Sequence, residues 1–154
     1  MPALPTLEKS KLIPWGIGLC CLFFLGVGCT PKPMELSAFT SDGCSLFMDG
    51  TFEQPELWKE CCHLHDLAYW RGGTREEREQ ADLTFRNCVQ KKTKNSDLAL
   101  LMYQAVRAGG NPHFPTWYRW GYGWPLGRGY KALTPDEEKM VEARLREFRQ
   151  RKKE

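Results

Sequence analysis

Four residues within a span of eight carry most of the chemistry this chain can offer. Cys62, His65, Asp66 and Tyr69 stand at i, i+3, i+4 and i+7, so a helix would set them on one face. Histidine is the side chain best suited to move a proton near neutral pH, and a carboxylate on its second nitrogen holds its tautomer and steadies its charged form. Asp82 is the carboxylate placed for that role, three residues from Phe85 and seven from Val89 on the inward stripe Ala81, Phe85, Cys88 and Val89 of a second segment. A carboxylate there is costly to bury unless something pairs with it. Across an antiparallel helix pair, His65 is the group best placed to do so. Each residue also has a plainer reading: a lone helical histidine is most often a surface or satisfied side chain, and Asp66 alone reads as a surface charge. A zinc site from Cys61, Cys62, His63, His65 and Asp66 is the sharper rival, but no second ligand pair with zinc spacing occurs elsewhere in the chain.

The elements that must hold these residues can be read from period and punctuation. From about residue 55, ELWKECCHLHDLAYW reads as a helix stopped by Arg71-Gly72-Gly73. Thr74 and Glu77 make a capping box that opens a second helix reaching about residue 92, and so short a turn implies antiparallel packing. A third helix, capped by Ser96, carries Leu98, Leu101, Met102, Ala105 and Val106 until Gly109-Gly110 ends it. Residues 111–133 are aromatic and rich in Gly and Pro, which implies irregular structure or short strands. There Trp117, Tyr118, Trp120, Tyr122 and Trp124 read either as an interfacial belt or as the cover of a small core. Residues 134–154 form an amphipathic helix, opened by Thr134-Pro135-Asp136-Glu137 and striped by Met140, Val141, Leu145 and Phe148. Its closing RLREFRQRKKE reads first as a solvated face, with attraction to anionic lipid as the alternative. Ahead of the first helix, Ser41-Asp42-Gly43-Cys44-Ser45 and Met48-Asp49-Gly50 are turn clusters, a loop in which carbonyls and carboxylates suit a hard cation. The expected fold is mainly α.

A chain of 154 residues is one domain. Its net charge of +3 comes from interspersed charges of both signs, which argues against nucleic acid as a partner. Residues 1–28 read as a signal peptide or membrane anchor, because Lys9 and Lys11 precede an uncharged apolar run over residues 12–28. Gly26-Val27-Gly28-Cys29 has the small residues before cysteine of a bacterial lipoprotein processing site, making Cys29 the candidate for lipidation and an uncleaved anchor the alternative. Residues 29–40 follow as a linker, so the remainder lies outside the cytoplasm, as a membrane-anchored bacterial lipoprotein or else a periplasmic or secreted protein. Cys44, Cys61, Cys62 and Cys88 are left for two disulfides, with three possible pairings.

Cys61-Cys62-His63-Leu64-His65-Asp66-Leu67-Ala68-Tyr69 resembles the CCxxHDxxY active-site helix of the secreted phospholipases A2. Ala81-Asp82 and Cys88 are similar to that family's second helix, Asp42-Gly43-Cys44 to the calcium loop of its bacterial branch, and Tyr103-Gln104-Ala105-Val106-Arg107 to its last helix. The resemblance covers a core of residues 41–110. It implies a phospholipase A2-like antiparallel helix pair with a calcium loop, extended by the aromatic segment and the last helix. It also implies disulfides Cys44–Cys62 and Cys61–Cys88, and hydrolysis of the sn-2 ester of glycerophospholipids at a membrane surface. His65 would be the general base, Asp82 its orienting carboxylate and Tyr69 a hydrogen-bond partner of that carboxylate. Ca2+ would be held by Asp66, Asp42 and the carbonyl of Gly43. The chain departs from the animal members in Ser45-Leu46-Phe47-Met48-Asp49-Gly50, where they carry a glycine-rich run. A non-catalytic envelope protein that uses the same fold to bind lipid or a partner is the alternative.

Overall fold

In a computed structural model, the described residues 35–153 form four helices and no strand: α1 (Lys59–Arg71), α2 (Arg75–Thr93), α3 (Ser96–Gly109) and α4 (Pro135–Arg151). The leader, Cys29 and the first part of the linker lie outside the described residues. No described helix is long and apolar enough to cross a membrane.

The capping box read from sequence, Thr74 with Glu77, is present at the start of α2, and the helix start expected at Thr134 proves to be a second capping box, with Glu137, at the start of α4. Two boundaries differ from expectation. Asn95, not Ser96, caps α3: its backbone is extended and its Oδ1 accepts from the amides of Asp97 and Leu98, both at 3.0 Å. The first helix begins at Lys59 rather than near residue 55, because Trp58 is committed to the preceding loop. Its amide donates to the Asp49 carbonyl (2.9 Å) and its indole to the Met48 carbonyl (2.7 Å), which anchors the loop on the helix that must face it.

Partners across α1 and α2 fall in number as α1 advances, so the pair is antiparallel: Cys61 is bonded to Cys88, His65 meets Asp82 and Arg71 meets Glu77. The second disulfide, Cys44–Cys62, ties the loop to α1. Trp58, Phe85, Val89, Ala99 and Met102 close a core around these bridges between α1, α2 and α3.

A second core joins both ends of the described chain. Leu36 and Phe39 are buried there with Trp70, Trp124 and Val141, so residues 35–40 are part of the packed domain and not free linker. The aromatic segment also resolves into two roles. Trp120 and Trp124 are only 2% exposed and belong to the interior, whereas Trp117 is 63% exposed. The segment is built of turns, with Arg119 donating to the carbonyls of Gly121 (2.7 Å) and Trp124 (2.5 Å) to hold its bend.

That segment completes α1. The last carbonyls of a helix have no partner within it, and here Gly121 N takes Tyr69 O (2.6 Å), Gly123 N takes Trp70 O (3.2 Å) and the Trp124 indole takes Arg71 O (2.7 Å). Gly72, at φ 67°, lets the chains come this close, since a Cβ there would lie 2.9 Å from the Gly121 Cα.

Arg128 locks α4 to the same segment. Its Nη1 and Nη2 grip Glu137 Oε1 and Oε2 at 2.6 and 2.9 Å, and its guanidinium lies 4.4 Å over the Trp124 ring. The Arg128 hydrogen bonds, against the opposing effect of burial, bring the Glu137 carboxyl down from its ordinary 4.5 to about 2. A depressed carboxyl stabilises the fold above its unfolded pKa, and that contribution is lost as pH falls from about 4.5 towards 2. Glu137→Gln should therefore cost about 1–3 kcal/mol at neutral pH. It should also flatten the acid side of the melting-temperature profile between pH 5 and 2.5, which scanning calorimetry would read.

Candidate active site

α1 directs His65 towards α2, and the two disulfides fix the helices that make the meeting. His65 Nε2 lies 2.8 Å from Asp82 Oδ1, with Asp82 fully buried and His65 nearly so. Burial alone would raise the Asp82 pKa, but hydrogen bonds from His65, Arg107 and Tyr69 hold it below the ordinary carboxylate range. Asp82 is thus an acceptor, so His65 carries its proton on Nε2 and leaves Nδ1 as the basic nitrogen. That nitrogen has no hydrogen bond among the described residues.

Tyr69 stands one turn on from His65, with ring centroids 4.2 Å apart, and donates its hydroxyl to Asp82 Oδ1 at 2.8 Å. Burial first and the Asp82 charge second push the phenol far above its usual pKa, which keeps it a neutral donor. Gly110 makes room for it: a Cβ at that position would overlap the Tyr69 ring and hydroxyl. Gly110→Ala should accordingly displace Tyr69 from Asp82 and cost about 1–3 kcal/mol through overpacking. Gly109→Ala, whose Cβ would meet Tyr118 at 3.4 Å, should be milder. Thermal melts of the two variants, with the Tyr69 ring resonances, would separate them.

The sequence reading missed the two guanidiniums on Asp82. Arg107 Nη1 donates to Oδ2 at 2.7 Å, and Arg78 Nε lies 3.7 Å from the same oxygen while donating to the Tyr69 hydroxyl at 3.1 Å. The Arg78 pair was legible, since it is an i, i+4 spacing on α2. Arg107 comes from another helix, and no local pattern marks it.

Asp66 points away from that network to the loop. Ser41 Oγ donates to its Oδ2 at 2.6 Å. Burial, with smaller contributions from the charges of Asp42 and Asp49 and against the Ser41 bond, brings its pKa from 3.8 up to about 7. Asp42 accepts from Ser45 Oγ at 2.7 Å and from the Trp117 indole at 3.4 Å. Asp49 shapes the loop: its Oδ1 accepts from Cys44 N at 2.7 Å, and its carboxylate occupies the place a Cβ on Gly43 (φ 82°) would need. The charges of Asp42 and Asp49 raise the proton affinity of Asp66, and carboxylates with a glycine carbonyl are the donor types that suit a hard cation. Asp42, Gly43 and Asp66 are the groups that would hold it.

The zinc alternative does not survive the geometry. Cys61 and Cys62 are both in disulfides, His65 is committed to Asp82, and His63 packs between Phe39 and Phe148. The grouping of Cys44, Cys62 and Asp49 also offers bonded sulfurs and not thiolates.

A cavity of about 310 Å³ opens onto His65, Asp66 and Tyr69. Its walls are apolar, from Leu46, Phe47, Leu101, Met102, Ala105 and Val106. Leu46, Phe47 and Leu101 are also 77%, 45% and 56% exposed, so they form its mouth. Leu46 is held at φ 62°, a left-handed conformation that leucine rarely adopts, with its side chain in solvent. A larger hollow of about 480 Å³ lies against α1, α2 and α4, but the cation loop does not reach it. The arrangement pairs a charge-steadied base with an oxygen-rich loop at the end of an apolar slot. Protein-family models, curated proteins and solved structures give no significant match to the chain.

Proposed function

We propose that the protein is a calcium-dependent hydrolase of the sn-2 ester of glycerophospholipids, acting at a membrane to which its N-terminus holds it. The observation that carries this reading is the buried His65–Asp82 pair, which leaves Nδ1 without a hydrogen bond among the described residues, in a histidine that lines an apolar cavity together with Asp66. Such a pair activates water and needs no covalent nucleophile. His65 Nδ1 takes a proton from water as it attacks the ester. Asp82 stabilises the imidazolium that forms, and Tyr69 holds the carboxylate oxygen that faces the ring. The imidazolium then returns the proton to the departing alkoxide.

Calcium, held by Asp66, Asp42 and the Gly43 carbonyl, would supply positive charge to the substrate phosphate and to the ester oxygen as it becomes an oxyanion. Met102, Ala105 and Val106 offer an acyl chain an apolar wall, and the exposed Leu46, Phe47 and Leu101 give the mouth an apolar rim that suits a lipid surface.

The test is release of labelled fatty acid from the sn-2 position of phospholipid vesicles by the purified chain, first with calcium and then with chelator. Calcium-dependent release supports the reading. No release from any phospholipid class, with lipid binding intact, would favour the non-catalytic lipid-binding alternative.

A further inference from the structure

We propose that Arg107 is a positioning residue for the His65–Asp82 pair, dividing the work of the carboxylate so that one oxygen serves the histidine and the other is held by α3. This inference rests on the hydrolytic reading of His65 and deepens it. Asp82 is completely buried, and its two oxygens have separate partners. Oδ1 accepts from His65 Nε2 and from the Tyr69 hydroxyl, each at 2.8 Å. Oδ2 accepts from Arg107 Nη1 at 2.7 Å, and no other described donor comes within hydrogen-bond distance of it. A carboxylate gripped at one oxygen cannot rotate about its Cβ–Cγ bond without breaking that grip, so the direction of the lone pairs offered to His65 is set from α3.

The support behind Arg107 is built in the same way. Arg78 Nη2 donates to the Arg107 carbonyl at 2.7 Å and to the Val106 carbonyl at 3.1 Å, while its Nη1 donates to the Tyr130 hydroxyl at 2.6 Å. Arg78 therefore fixes the backbone from which Arg107 projects and, through Tyr69, the second donor on Oδ1. Without Arg107 a buried charged oxygen loses its hydrogen bond. The Tyr69 hydroxyl also has another acceptor within reach, Val106 O at 3.3 Å. Both changes release the carboxylate to turn and leave the histidine ring without a fixed partner.

Arg107 suits a clean experiment because its side chain is 32% exposed whereas that of Arg78 is 4% exposed. Arg107→Gln should lower kcat about ten- to hundredfold, the usual cost of losing a group that orients a working side chain. KM and calcium affinity should stay near the parent values. Arg107→Lys keeps the charge and one donor, enough for the single bond to Oδ2, and should recover most of the loss.

A second readout needs no turnover. In the nitrogen-15 labelled full chain, the ring N–H that His65 donates to Asp82 should give a protected low-field proton signal. That signal should persist in Arg107→Lys and broaden or vanish in Arg107→Gln, at melting temperatures that show both variants folded. An unchanged signal and unchanged kcat in Arg107→Gln would overturn the proposal, as would a signal lost equally in Arg107→Lys. If the parent hydrolyses no phospholipid, the hydrolytic reading fails alone, and the ring signal still decides whether Arg107 positions the pair.

Discussion

His65→Gln is expected to lower turnover of an sn-2 ester by about a hundred- to ten-thousand-fold, the usual loss when a general base is removed. The structure gives reasons to expect that the protein otherwise survives. The ring lies between Tyr69 and Phe85, with centroids 4.2 and 4.7 Å away, and a glutamine side chain fills much of that space. Its amide can still donate to Asp82, so the buried carboxylate keeps three donors. What disappears is the basic nitrogen opposite. The loop carboxylates are untouched, and calcium affinity measured by calorimetry should stay close to that of the parent. Activity that persists within a few-fold of the parent would show that another group activates the water.

Asp82→Asn is a less clean companion than the sequence implies. Asp82 is the counter-ion of Arg107 and lies 3.7 Å from Arg78, so an amide there leaves buried positive charge uncompensated as well as misdirecting the histidine.

The helices were legible because their signals are local. Thr74 with Glu77 and Thr134 with Glu137 are capping boxes that require only three-residue spacing, and both stand where the spacing places them. The juxtaposition of His65 with Asp82 followed from one further step, since a short Gly72-Gly73 turn leaves few ways for two amphipathic helices to pack. The disulfides were a different case: spacing left three pairings open, and the resemblance to the phospholipase helix selected the pair that is found.

What was not legible is non-local. Leu36 and Phe39 pass for linker residues in a Pro-containing stretch, yet they bury against α4, more than a hundred positions away, where Arg144 donates to the Leu36 carbonyl. The tryptophans of residues 111–133 have no period that distinguishes inward from outward. Trp120 and Trp124 are interior because the indoles donate to the Gly73 and Arg71 carbonyls at the end of α1, which no pattern in residues 111–133 reveals. Ser41 and Asp49 were likewise seen as turn residues and not as the groups that orient Asp66 and Gly43.

Calcium affinity should rise with pH up to about 7 and then level, because Asp66 must lose a proton before it can serve as a ligand. Its pKa stands near 7 mainly through burial, helped by Asp42 and Asp49 and opposed by the Ser41 hydroxyl. Between pH 5 and 6 each calcium bound should therefore displace close to one proton from this group, falling to about half a proton near pH 7, and affinity should change by up to about tenfold per pH unit. Asp66→Asn should lower affinity by at least about tenfold, since even outer partners of a metal ligand are worth that much. It should also remove the pH dependence over this range. A linked effect is expected without calcium. A carboxyl whose folded pKa is raised from 3.8 to about 7 keeps a proton that the unfolded chain has lost, so its contribution to stability is present below about 4 and is lost as pH rises through about 7. In chelator, then, the parent should lose melting temperature relative to Asp66→Asn as pH is raised from 5 to 8, and calcium should restore it. Calorimetric titrations at pH 5.5 and 7.5 that gave the same calcium affinity for the parent would remove Asp66 from the ligand set and leave its half-buried carboxyl to serve only the Ser41 contact.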